Sequence, residues 1–311
     1  MKSTQAIGRR FERARRIADR WGRPLGLSLT LAGFGLGLYY IALLGVGNPA
    51  DARAYYLTSV ADPYRSHLSL ESPLAYMYSP AFVQAISPLQ GLALGAFLTV
   101  FRGAQVIALA LLVGPFSLLA LFLPPVASEI NAGNIHLFLG LAIVAGFRWP
   151  ALWAFVLLTK VTPGLGLLWF AVRREWRSLA IALVATGAVV IGSGLLLGVG
   201  PWIAWANVLI ANSGLDHDAL MPVSLPLWLR LGLAAALIVW GARTDRRGVV
   251  PIACVIALPW IWFTSLSMGL AAVPLALGDW RRNRGLVDAA RGQARESATM
   301  ATSSPELPGG R

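Results

Sequence analysis

The chain has 311 residues, 57% of them hydrophobic and 13% charged, where a soluble domain carries roughly 25% charged residues. So few charges cannot cover a water-soluble globule of this length, and lipid must solvate much of it. The net charge of +12 would suit a nucleic-acid binder, but the basic residues sit in tails and short loops between apolar runs, the pattern that orients membrane helices, and no nucleic-acid partner is expected.

Residues 1–24 hold Lys2, Arg9, Arg10, Arg13, Arg15, Arg16, Arg20 and Arg23 against Glu12 and Asp19, with Phe11, Ala14, Ile17, Ala18 and Trp21 on one helical face. This suits a basic amphipathic helix lying on an anionic inner leaflet. A solvated basic tail that only sets orientation fits the same residues, and either way the N-terminus is cytoplasmic. The apolar run Leu25 to Val46 is too long for a signal peptide and carries no cleavage pattern.

A crossing helix needs ~20 apolar residues. Segments 25–47, 79–90, 94–112, 115–125, 134–147, 151–171, 178–199, 224–242, 249–262 and 265–278 predict an all-α, polytopic transmembrane helix bundle of about ten spans, some short or re-entrant. With ten, the basic clusters at 173–177, 243–247 and 280–284 share the cytoplasmic side with the N-terminus; eight would leave one outside. Residues 25–280 then form one transmembrane domain with external stretches at 48–78 and 200–223. Residues 281–311, rich in Gly, Pro, Ser and charge, read as a disordered cytoplasmic tail. The lone Cys254 permits no internal disulfide.

Several polar residues stand in apolar surroundings. Asp51 follows the first span, ahead of Tyr55 and Tyr56. A carboxylate under aromatic residues near the membrane surface can take the proton of an attacking hydroxyl, while Asp51 or Asn48 also reads as the N-cap of a short interfacial helix. Glu129, Asn131, Asn134 and His136 lie between Pro125 and the next apolar run. Amides and an imidazole there can bond sugar hydroxyls or a phosphate, with Asn131 or Asn134 equally readable as a helix cap. Ten crossings put this stretch inside, unless 115–125 and 134–147 are re-entrant and meet outside.

Lys160 lies within a nominal span, and an intramembrane ammonium points to function with an anionic partner. Pro163 breaks or kinks the helix just beyond it, which a membrane tolerates where the break lines a cavity. The alternative is a lysine that snorkels because the span ends there. Arg102 is a weaker case of the same kind, and Arg230 can simply snorkel. Asp216, His217 and Asp218, with Asn212, fit no metal-ligand spacing and read as a solvated loop. No metal site is expected, and no Gly-rich phosphate loop, nucleophile elbow or zinc-protease helix is present.

Taken in order from about residue 48 to 178, these features resemble glycosyltransferase family 87, polytopic enzymes of the GT-C class. The run Lys160-Val161-Thr162-Pro163, followed by Arg173-Arg174-Glu175-Trp176, is the most specific match; Asp51 with Tyr55 and Tyr56, Tyr78-Ser79-Pro80 and Gly133-Asn134-Ile135 add to it by order and spacing. Ser79 stands where the family has proline, and Asn134 where it has glutamine. The resemblance implies a bacterial plasma-membrane hexosyltransferase moving a sugar, mannose as in the family's polyprenyl-phosphate-mannose-dependent mannosyltransferases, from a polyprenyl phosphate to a glycolipid or glycan acceptor at the outer face. It implies no cofactor beyond that lipid-linked co-substrate, and membrane lipids as the remaining partners. It makes Asp51 the general base, with inversion at the sugar carbon, and gives the donor phosphate to Lys160, helped by His136 and Arg53. Tyr55, Tyr56 and Tyr78, with Asn131 and Asn134, would hold sugar and acceptor. A transporter or lipid flippase shares the broken helices and intramembrane charge but commonly shows internal pseudo-symmetry, which this sequence lacks; an inactive homologue is the other alternative.

Overall fold

Hydrocarbon offers a backbone no hydrogen-bond partner, so a segment immersed in it must satisfy its own groups. Every element among the described residues is helical. The computed structural model describes residues 2–45, 47, 49–64, 72, 74–213, 225–282, 284, 285 and 293, with side chains from 22 to 211 and again from 225. The expected cap Asn48, the side chain of Asn212, the Asp216–Asp218 loop and most of the expected tail lie outside the described residues.

Helix α1 (Lys2–Leu44) runs through Pro24 without a break, so the basic segment and the first expected span are one element. At 1.5 Å per residue it is about 64 Å long, twice a bilayer's hydrocarbon thickness, and only Gly22–Leu44 has the composition of a span. The short α2 (Ala50–Leu57) and α3 (Pro80–Gln90) follow. Helix α4 (Leu94–Val113) continues through a 3-10 turn into α5 (Ser117–Ala120), and together they make a second candidate span, Leu94–Ala120.

Helices α6 (Pro124–Ala132) and α7 (His136–Gly146) pass the composition test for a span only as a pair, bent by 107° between them. Next come α8 (Trp153–Thr159), a 3-10 turn at Thr162–Leu167, α9 (Leu168–Val172) and α10 (Trp176–Leu197), the third long candidate span. Only 11% of the apolar stretch of α10 is buried, and Leu195 and Leu196 are 83% and 81% exposed. A helix apolar all round and this bare is compatible only with lipid as its solvent.

Helix α11 (Gly200–Ser213) occupies much of the stretch expected as a polar loop. Its Trp202 and Trp205 pack edge to face, and Trp205 Nε1 donates to the Met77 carbonyl at 3.1 Å. The two expected external stretches are thereby pinned together. Helices α12 (Leu227–Arg243) and α13 (Val249–Ile256), a long 3-10 turn at Phe263–Ala271 and a helix over residues 272–282 complete the bundle.

Three helices, four with the bent pair, are thus long and apolar enough to cross a membrane. The count of ten is not confirmed, because prolines at 80, 124, 125, 150, 163 and 251 start or interrupt the remaining segments, each removing a backbone donor.

Two buried arginines hold the broken ends in place. Arg102, fully buried on α4, donates to the carbonyls of Ile130, Asn131 and Gly45 at 3.0, 2.6 and 2.7 Å. Those carbonyls lie at or just past the C-terminal ends of α6 and α1, where unpaired C=O groups and the helix dipole favour a cation. Arg230 does the same past the end of α13, donating to Leu258 and Pro259. Arg230 is buried and does not snorkel.

The three expected cytoplasmic clusters meet at one end of the bundle. Arg173 pairs with Glu175 and Asp245, Arg282 pairs with Asp245 and Asp279, and Arg247 lies over the Phe147 ring.

Candidate active site

The site begins at α2. Pro49 is its N-cap, and Arg53 N bonds the Pro49 carbonyl at 2.7 Å. Asp51 sits in the first turn and makes no cap hydrogen bond, so the capping role open to it in the sequence falls away. Its carboxylate instead receives a hydrogen bond from the Asn134 side chain and feels the charges of Lys160, Glu129 and His136. Burial raises the Asp51 carboxyl above its ordinary value; Lys160 opposes the rise, Glu129 adds to it, and the Asn134 bond lowers it.

Asn134 reaches Asp51 because the chain turns sharply at the α6–α7 elbow. Gly133 has φ +68°, and a Cβ there would lie 2.4 Å from the Ala52 Cβ. Only glycine combines that left-handed backbone with such close approach, so the elbow sits directly against α2. The 126–134 stretch and the Asp51 helix are neighbours. Asn134 Oδ1 accepts the Ile135 N–H at 2.7 Å, which leaves its amide NH₂ as the group facing Asp51.

The first turn of α7 is capped from a distance. Glu129 Oε1 accepts the backbone N–H groups of His136 and Leu137 at 2.5 and 3.3 Å, and Oε2 meets His136 Nδ1 at 3.0 Å. His136 Nε2 lies 3.2 Å from Ser265 Oγ, which accepts the Trp262 N–H at 3.2 Å. With Glu129 ionised, its carboxylate only accepts, which puts the imidazole proton on Nδ1 and makes Ser265 the donor to Nε2. Glu129, His136 and Ser265 are completely buried. Both ring nitrogens of His136 are engaged by protein in place of the phosphate expected of them. Ser265 is the frame residue missed by sequence reasoning; Glu129 stood out there as a polar residue in an apolar stretch but was given no role of its own.

Helix α8 stops at Thr159, whose Oγ1 bonds the Phe155 carbonyl at 2.5 Å, and Lys160 turns extended at φ −138°. The helix therefore ends at the lysine, but the chain stays inside the bundle: Pro163 and Gly164 are buried, and Cys254 Sγ contacts the Pro163 carbonyl at 3.2 Å. Lys160 Nζ lies 5.8 Å from the centroid of the Tyr78 ring and acts on Asp51 and Glu129. It points to the polar island and does not snorkel.

Tyr55 and Tyr78 form the wall behind this island, hydroxyl to hydroxyl at 2.9 Å and ring centroids 5.2 Å apart. Phe82 and Phe101 cover the rest of the Tyr55 ring, which is 1% exposed and leaves no open face for a sugar. Tyr56 turns away, stacking near Phe97 and donating to the Leu92 carbonyl at 3.0 Å. Arg53 is exposed on α2, and the Asn131 backbone carbonyl serves Arg102. Ser79 is tied to the end of α8 through its N–H to the Leu158 carbonyl, 3.2 Å. The buried hydroxyls of Ser79 and of Thr162, two residues past Lys160, have no hydrogen-bond partner among the described residues. No group of three or more His, Cys, Asp or Glu among the described residues is placed to hold a metal ion.

Asp51, Asn134, Glu129, His136 and Lys160 thus come from four separate elements to one spot. The sequence model of glycosyltransferase family 87 matches residues 68–290, most of the chain. The chain belongs to glycosyltransferase family 87. Its apolar spans agree with that assignment, and the protein is a membrane glycosyltransferase. No curated protein and no solved structure matches it. The family match contains Tyr78, Asn131, Asn134, His136 and Lys160, while Asp51, Arg53, Tyr55 and Tyr56 precede it. In this family member, therefore, the base candidate is tied to the matched region by three-dimensional contact.

Proposed function

We propose that this glycosyltransferase moves a hexose from a polyprenyl-phosphate sugar to a hydroxyl of a lipid or glycan acceptor, mannose being the sugar the family resemblance favours. Asp51 takes the proton of the acceptor hydroxyl as its oxygen attacks the sugar C1 carbon. The bond from C1 to the phosphate oxygen breaks with its electron pair on the phosphate, and configuration inverts. Fixed cations in a water-poor site stabilise such developing charge most effectively, and Lys160 is that cation. Its ammonium also favours the ionised form of Asp51 beforehand.

Asn134 orients the Asp51 carboxylate, and Glu129 with His136 and Ser265 holds the elbow that carries Asn134. The unpartnered hydroxyls of Ser79 and Thr162 suit an oxygen-rich ligand beside Lys160. Arg53, exposed on α2, is accessible to a donor headgroup or acceptor as it arrives. The excess of arginine at the opposite end supports a cytoplasmic position for that end and an outward-facing transfer site.

One observation carries this reading: a carboxylate and an ammonium far apart in sequence act on each other at the base of one aromatic wall. The test is to incubate the purified chain in detergent with radiolabelled polyprenyl-phosphate mannose, and in parallel the glucose donor, plus glycolipid acceptors. Labelled product from either donor is expected. Turnover of a nucleotide sugar with both lipid donors inert would overturn it.

A further inference from the structure

Two groups stand out among the arginines at the basic end. Arg173 and Arg282 are consumed by Glu175, Asp245 and Asp279 in the ion-pair network. Arg148, Arg246 and Arg284 have no carboxylate within ion-pair distance among the described residues. Each lies over an indole instead: Arg148 over Trp149 at 5.3 Å, Arg246 over Trp240 at 5.0 Å, and Arg284 over Trp280 at 4.8 Å. The three tryptophans are 59%, 45% and 55% exposed.

An exposed indole at the end of an apolar bundle settles at the glycerol and headgroup level of a bilayer. A guanidinium stacked on it has one face covered and its in-plane fork of N–H donors free. That fork matches two oxygens of a phosphate, whereas an ammonium would offer only a point charge. Stacking also holds the long side chain in place, so less rotamer freedom is lost when the phosphate arrives. The arrangement repeats on three elements: after α7, at the end of α12, and after the helix over residues 272–282.

We propose that Arg148, Arg246 and Arg284, each stacked on its tryptophan, bind the phosphate groups of anionic phospholipids in the leaflet around this end. The uncompensated charge favours anionic over zwitterionic headgroups, and the indoles require a ligand whose acyl chains lie in the bilayer. A free phosphate ion satisfies only the first demand.

The test follows thermal unfolding of the full chain in neutral detergent while dioleoylphosphatidylglycerol is added, with dioleoylphosphatidylcholine and inorganic phosphate in parallel. Phosphatidylglycerol is expected to raise the midpoint saturably and the other two to leave it in place. A cation near an anionic lipid surface contributes about fivefold in affinity, so each Arg→Gln change should weaken the phosphatidylglycerol response by roughly that factor. The triple variant Arg148→Gln, Arg246→Gln, Arg284→Gln should lose roughly a hundredfold. Should the triple variant not fold, the three single variants carry the test alone. Equal stabilisation by phosphatidylcholine or inorganic phosphate, or an unchanged phosphatidylglycerol response in the variants, would overturn the proposal. Neither result depends on whether the chain transfers sugar.

Discussion

Asp51 can act as a base only when ionised, and its surroundings set the pH at which that happens. Burial raises its carboxyl above the ordinary value of 3.8, and Lys160 opposes the rise. As pH falls, the ionised fraction and the transfer rate should drop together, with a midpoint above 3.8 in the profile of kcat/KM. Replacing Lys160 by Met removes the opposing cation and should push that midpoint higher still; a midpoint moving down would contradict the assignment. Glu129 has a different duty. Truncation to Ala leaves two backbone N–H groups and the His136 proton buried without an acceptor, a loss on the order of 3 kcal/mol or more at typical desolvation costs. Glu129→Gln keeps one acceptor oxygen and should lose clearly less, as read by thermal unfolding in detergent. Equal losses in the two variants would mean that the carboxylate does not cap α7.

Between elements, the decisive feature is the elbow of α6 and α7 pressed on α2. Gly133→Ala forces a side chain into a left-handed backbone and onto Ala52, a strain of about 1–3 kcal/mol. It should slow transfer as well, because Asn134 is the next residue and orients Asp51. Adding Ala52→Gly should relieve the clash and restore part of the loss; no recovery in unfolding midpoint or rate would show that the contact is unimportant. Arg102→Leu should cost at least as much as Gly133→Ala, since it strips three helix-end carbonyls of their donor. This is the scale at which the sequence was least legible. Asp51 and Lys160 stood out because each is a charge against apolar neighbours. The Glu129–His136–Ser265 connection did not, since Ser265 lies in a distant turn and nothing local marks it. Arg102 was visible as an intramembrane charge, but its partners are backbone carbonyls, which no residue pattern records.

Across the whole molecule, helix length places the site. Helix α7 has 11 residues, about 16 Å, and runs from the basic end at Phe147 to the elbow beside Asp51; α10 has 22 residues, about 33 Å. The polar island therefore lies no farther than about 16 Å along α7 from the basic end, half the length of α10, a depth that suits the lipid-borne phosphate of the proposed donor. The same short helices explain why apolar runs in the sequence suggested ten crossings while three to four candidate spans meet the length test: composition reports immersion in lipid, and length reports a full crossing. Cys254 is buried, so single cysteines placed elsewhere report topology cleanly. In intact cells an impermeant maleimide should label Ser59→Cys and leave Arg177→Cys untouched; labelling of both from the same side would refute the two-ended arrangement. The central claim is that Asp51 and Lys160 serve one chemical step, and it is tested most directly by transfer rates of Asp51→Asn, Lys160→Met and the double variant beside wild type. Each single change should reduce the rate by about a thousandfold, and the double variant should fall little further, because groups acting as a unit are strongly non-additive. A wild-type rate in Asp51→Asn, in protein that inserts and unfolds normally, would contradict the account.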